Sequence, residues 1–102
     1  MKSLVQVVLE TAKLGDIHDN NRTPETIMFH VMEEIGELST EINIAAGRSY
    51  KQPSADGIVG ESIDAIVALL DVIYKHQPDI TEEEIVKIAS LKCRKWIDKI
   101  AK

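Results

Sequence analysis

Residues 57–76 read GIVGESIDAIVALLDVIYKH, and this stretch decides the fold. Wound at about 100° per residue, it sets Ile63, Ile66, Val67, Leu70 and Ile73 on one side and Ala65, Leu69 and Val72 on the other. A helix apolar on both flanks is expected to be buried. Between the flanks runs a narrow polar strip of Gly57, Gly60, Glu61, Asp64, Asp71 and Lys75, so Glu61 and Asp64 are expected to point into packed interior.

Working outward, the rest of the chain carries the same three- and four-residue apolar spacing and almost no strand signals, which predicts an all-α fold. Leu4, Val5, Val8, Leu9 and Ala12 predict a first short helix ending near Gly15, with Asp16 to Arg22 as a loop. Thr23-Pro24-Glu25 is a start signal, because threonine caps free amides and proline fits the first helical position. Helix two runs from there to Gly47. Arg48 to Asp56, with Gln52-Pro53-Ser54, reads as an exposed connection. Pro78 ends helix three, and Thr81 with Glu84 has capping-box spacing before a fourth helix that runs nearly to the last residue. The expected architecture is a four-helix bundle of helical hairpins in a single domain over residues 1–102.

Of 102 residues, 44% are apolar and only 4% aromatic, which calls for an aliphatic core and leaves no room for a second domain. A net charge of −5 argues against a nucleic-acid polymer as partner, since that needs a basic face. It leaves phosphate binding open, because a bound cation reverses the local sign. The longest strongly apolar run, Ala65 to Leu70, lies between Asp64 and Asp71, far short of the roughly 20 residues that cross a bilayer. No membrane partner is expected. Cys93 is the one cysteine, and with no signal-type start the expected compartment is the cytoplasm.

On helix two, Met28, Val31, Ile35, Leu38 and Ile42 form an apolar stripe, and His30, Glu34, Glu37 and Glu41 form a second stripe beside it. Glu33 and Glu41 read as a solvated face. Glu34/Glu37 and Glu61/Asp64 are different, because each is an i, i+3 pair sharing a face and the two pairs fall on successive helices. Four converging acids repel one another, and a buried carboxylate costs several kcal/mol when unpaired. A single lysine does not balance them, and a divalent cation does. Di-iron bundles use Glu-x-x-His pairs, which this chain lacks. All-oxygen ligands suit Mg²⁺ or Mn²⁺ over Zn²⁺, and magnesium usually joins carboxylates to substrate phosphates.

Glu33-Glu34-Ile35-Gly36-Glu37, then Glu61-Ser62-Ile63-Asp64 after 22 further residues beyond Leu38, resembles the EExxE and ExxD signature of the MazG-like all-α nucleoside triphosphate pyrophosphohydrolases. The resemblance implies that Glu34, Glu37, Glu61 and Asp64 hold Mg²⁺, with Mn²⁺ as a substitute and Glu33 and Glu34 in catalysis. It implies hydrolysis of a nucleoside triphosphate between its α and β phosphates, giving monophosphate and pyrophosphate. It also implies phosphate contacts from basic residues of the last helix, where Lys92, Lys95 and Lys99 share a stripe near Arg94. Lys75, on the strip of Asp64, is the strongest single expectation. Gly60 departs from the pattern, since many relatives carry a further acid there.

Two other readings compete. A phosphoribosyl-ATP or dUTP hydrolase would use similarly placed acids. A non-enzymatic dimerisation or regulatory module would pair the acids with Lys75, Arg48 and the lysines of helix four across an interface, without metal. Under any of these, the apolar surface exceeds what one protomer covers, so a homodimer or dimer of dimers is expected.

Overall fold

The computed structural model describes residues 1–101 and is all-helical. Four helices follow one another: α1 (Leu4–His18), α2 (Pro24–Ala45), α3 (Gly57–His76) and α4 (Glu82–Ile100). No strand occurs among the described residues. Helix α3 is the shared partner, packing extensively against α2 and to a lesser extent against α1.

The caps follow from the sequence. Thr23 accepts the Thr26 N–H at 3.2 Å while Thr26 Oγ1 accepts the Thr23 N–H at 3.0 Å, a reciprocal box ahead of Pro24. Thr81 Oγ1 accepts the Glu84 N–H at 3.2 Å, and the Glu84 carboxylate turns to the Thr81 hydroxyl instead of its N–H. Gly47 leaves α2 with φ of 76°, in the left-handed region that glycine enters without steric cost.

Helix α1 runs one turn past its expected end. Asp16, assigned from sequence to the loop, stays helical because its carboxylate receives Arg22 Nε at 2.8 Å and Lys75 Nζ at 3.2 Å. Arg22 also grips Asp71 with Nη1 at 3.0 Å and Nη2 at 2.6 Å. This bidentate pair ties the α1–α2 connection to α3. The Arg22 guanidinium beside Asp16 holds that carboxyl below the usual carboxylate range, with Lys75 adding to the effect against the opposing pull of burial.

The core is small: Val8 and Ala12 from α1, Ile27 and Val31 from α2, and Ala65, Ala68, Leu70 and Tyr74 from α3. Its position corrects the expectation for α2. The buried seam is Ile27, Val31, Glu34, Leu38 and Glu41, at alternating spacings of four and three, whereas Met28, Ile35 and Ile42 are each about 45–48% exposed. The face that docks is turned toward the acids. Helix α3 also differs from its expected full burial, since Ile63, Ile66, Val67 and Leu69 remain 36–45% exposed in the single chain. Helix α4 buries nothing. No helix among the described residues is long and apolar enough to cross a membrane.

Candidate metal centre

Three carboxylates meet where α2 crosses the start of α3. One oxygen each of Glu34, Glu61 and Asp64 lies within 4.8 Å of the other two. Glu34 arrives from the α2 seam, whereas Glu61 and Asp64 are one turn apart on the opening of α3. Burial is graded, with Glu61 buried, Glu34 intermediate and Asp64 open to solvent.

The inner atoms lack partners. Glu34 Oε2 and Glu61 Oε2 are both sealed from solvent and accept no hydrogen bond. Burying such an oxygen unpaired costs about 1–3 kcal/mol, and more when it is charged. Among the described residues no lysine or arginine pairs with any of the three acids, and the one basic contact is His30 Nε2 at 3.5 Å from Glu34 Oε1. Burial pushes the Glu61 carboxyl above its ordinary range, and the charges of Glu37, Asp56 and Asp64 push it further. Such a donor set, all carboxylate and short of positive charge, fits a hard divalent cation.

Of the other residues singled out from sequence, Glu37 stands close enough to Glu61 for its charge to raise the proton affinity of that carboxyl. Its side chain is exposed at the rim. Glu33 is exposed on α2 and lies outside the trio. Lys75 is not at the site. It is bound to Asp16, and eleven residues of helix separate it from Asp64, or about 16 Å. The strip that these residues share is long, and a common angle on a helix does not bring its two ends together. Lys92 lines a groove with Val72 and Ile73, about 12 Å or more along α3 from Asp64. Arg94 and Lys95 are exposed on α4, which has no extensive contact with α2 or α3.

Glu41 corrects the solvated reading most sharply. It is buried, and its Oε1 accepts the Ser54 N–H at 2.9 Å and the Ser54 hydroxyl at 3.0 Å. Ser54 Oγ also accepts the Gly57 N–H at 3.2 Å and lies 3.4 Å from Glu61 Oε1. The hydroxyl has one proton, and Glu41 holds the closer claim on it. Glu61 therefore gains little from Ser54. Glu41 serves to fasten the 48–56 connection over the start of α3.

Asp56 is the residue that sequence reasoning missed. Its side chain folds against Gly60 so closely that any Cβ at position 60 would collide with its carboxylate. From there the Asp56 charge adds to that of Glu37 in raising the Glu61 carboxyl. The available signal was an Asp immediately before Gly57, whose φ of 58° lets the chain turn sharply into α3.

No family model, curated protein or solved structure matches the chain.

Proposed function

We propose that this chain is a Mg²⁺-dependent hydrolase of nucleoside triphosphates, releasing monophosphate and pyrophosphate. One observation carries the reading: Glu61 is buried with an unpartnered oxygen, within 4.8 Å of carboxylate oxygens of Glu34 and Asp64. The choice of triphosphate rests on the resemblance of the EExxE and ExxD stretches to the MazG-like enzymes. Bound Mg²⁺, or Mn²⁺ in its place, would neutralise the phosphates and lower the pKa of a coordinated water.

In this reading Glu34, Glu61 and Asp64 bind the cation, and the repulsion among them is what binding relieves. Glu37 at the rim provides a fourth oxygen. Glu33, exposed one residue before the seam position, accepts a proton from the attacking water without being committed to the metal. His30 holds Glu34 in place. Phosphate contacts by Lys92, Arg94 and Lys95 require α4 to approach the site from outside its own chain's hairpin.

Within the single chain Lys75 is taken by Asp16 and Arg48 faces Asn43 at 3.5 Å, so the metal-free regulatory module would have to draw on the lysines of α4 across an interface. The test is a screen of nucleoside triphosphates, dUTP and phosphoribosyl-ATP with Mg²⁺, reading monophosphate and pyrophosphate separately. Pyrophosphate released in step with monophosphate is expected. Orthophosphate alone, or no turnover with any of them, would refute the proposal.

A further inference from the structure

Helix α4 is amphipathic and uncovered. Ile85, Ile88, Ala89, Trp96 and Ile100 fall on one face at helical spacing, yet Trp96 is 67% and Ile100 69% exposed. Between the end of α3 and the start of α4 opens an apolar groove of about 550 Å³, walled by Val72, Ile73, Ile80, Ile85, Ile88 and Ala89. Groove and projecting ridge therefore sit on one helix, the groove at its N-terminal half and Trp96 at its C-terminal half.

The missing cover has a size. A folded monomer of 11.4 kDa exposes about 5,800 Å², and this chain exposes 7828 Å². Its radius of gyration is 16.1 Å, against about 13 Å for a compact domain of this length. The excess, about 2,000 Å² per chain, amounts over two copies to about 4,000 Å². Obligate homodimers bury about 2,000–5,000 Å² in total, so a second copy matches the deficit.

Charge fixes the direction. The first turn of α4 carries Glu82, Glu83 and Glu84, and its second half carries Lys92, Arg94, Lys95 and Lys99. Antiparallel α4 helices lay acid against base, whereas parallel ones lay like on like. The midpoint of Glu82–Ile100 is Leu91, and a two-fold axis there sets position 96 level with position 86, between the groove residues Ile85 and Ile88. We propose that two copies of this chain pair their α4 helices antiparallel about a two-fold axis, Trp96 of each filling the α3–α4 groove of the other. The contact is isologous and closes on itself.

The test needs neither nucleotide nor metal, so it stands or falls apart from the enzymatic reading. Light scattering on the full chain should give two copies or a multiple of two. Trp96 is the only tryptophan, and acrylamide should quench it poorly until dilution dissociates the pair. Ile88→Glu should weaken association about 30-fold or more, and because α4 buries no residue in its own chain the variant reads the interface. Lys99→Glu should weaken it less, and adding Glu83→Lys should restore it. A monomer overturns the proposal, whether Trp96 is quenched, meaning that α4 is free, or shielded, meaning that α4 closes onto its own α3. An oligomer with Trp96 fully quenchable also overturns it, as copies then meet through another face. Charge reversal without rescue refutes the antiparallel pairing.

Discussion

Where α2 meets the start of α3, the seam holds Glu34, Glu41 and Glu61, carboxylates at positions where a helix pair ordinarily places leucine. Where α3 gives way to α4, the helix offers isoleucines and a tryptophan to solvent. One region buries charge without enough partners, and the other exposes apolar surface without cover. Within the first region the acids are not equivalent. Glu41 receives two hydrogen bonds from Ser54 and is satisfied, whereas Glu61 and Glu34 each keep an oxygen with none. Burial of a carboxylate alone therefore does not mark a site, and burial with an unpaired atom does.

That distinction breaks first at Glu61. Glu61→Gln and Asp64→Asn should lower kcat/KM by more than the roughly 10–100-fold that changes around a metal ligand typically cost. Both should keep helical circular dichroism. The metal-free Glu61→Gln protein should melt above the wild type, since one charge leaves a repelling cluster. If it melts well below, Glu61 had a cationic partner and the comparison with Glu41 collapses.

A cation should favour the acidic region only. With Mg²⁺ at about 100 times its dissociation constant, unfolding should cost about 2.7 kcal/mol more, read as a rise in Tm that Glu61→Gln abolishes. Mg²⁺ that raises Tm equally in Glu61→Gln is bound elsewhere.

Glu41→Ala should cost about 2 kcal/mol, the worth of charge-assisted hydrogen bonds lost in a buried seam. Urea denaturation measures it, and Mg²⁺ should still stabilise the variant. A variant of unchanged stability would mean that the Ser54 contacts contribute nothing. Because Glu41 is structural, it is a poor control for the ligands. Glu25, in the exposed first turn of α2, is the better one.

The smallest effect is that of pH. The folded Glu61 carboxyl lies above its ordinary 4.5, so the folded state binds protons first. Metal-free stability should rise as pH falls from neutral toward 4.5. Asp16 works the other way: its folded value lies below 3.8, so its contribution is present above that pH and is lost below it. A shallow stability maximum in mild acid is expected. Melting temperatures that fall steadily from neutral pH would exclude the Glu61 effect.

Much of the fold is legible in residues 57–76, since an apolar helix with one polar strip and clean stop signals can be little else. The bounds of α3 agree with the sequence because Gly57 and Pro78 act locally. The orientation of α2 was not legible, since 28-31-35-38-42 and 27-31-34-38-41 are both good helical stripes. Only the partner helix decides between them, and here it accepts glutamates in the seam. The meeting of Glu34 with Glu61 and Asp64 was legible because i, i+3 acids on neighbouring helices have few ways to avoid each other. The separation of Lys75 from them was hidden by distance along one helix, and Asp56 by a turn whose path depends on Gly57 and Gly60.

The central position of α3 has a consequence in time. Helices α1 and α2 precede their common partner in the chain and share no extensive contact of their own. During synthesis at about 5–20 residues per second, the residues from the end of α2 to the end of α3 take roughly 2–6 s to appear. For that interval Val8, Ile27 and Val31 lack the helix that buries them. The nascent chain is then a pair of sticky, half-formed helices, and the arrival of α3 turns them into a domain.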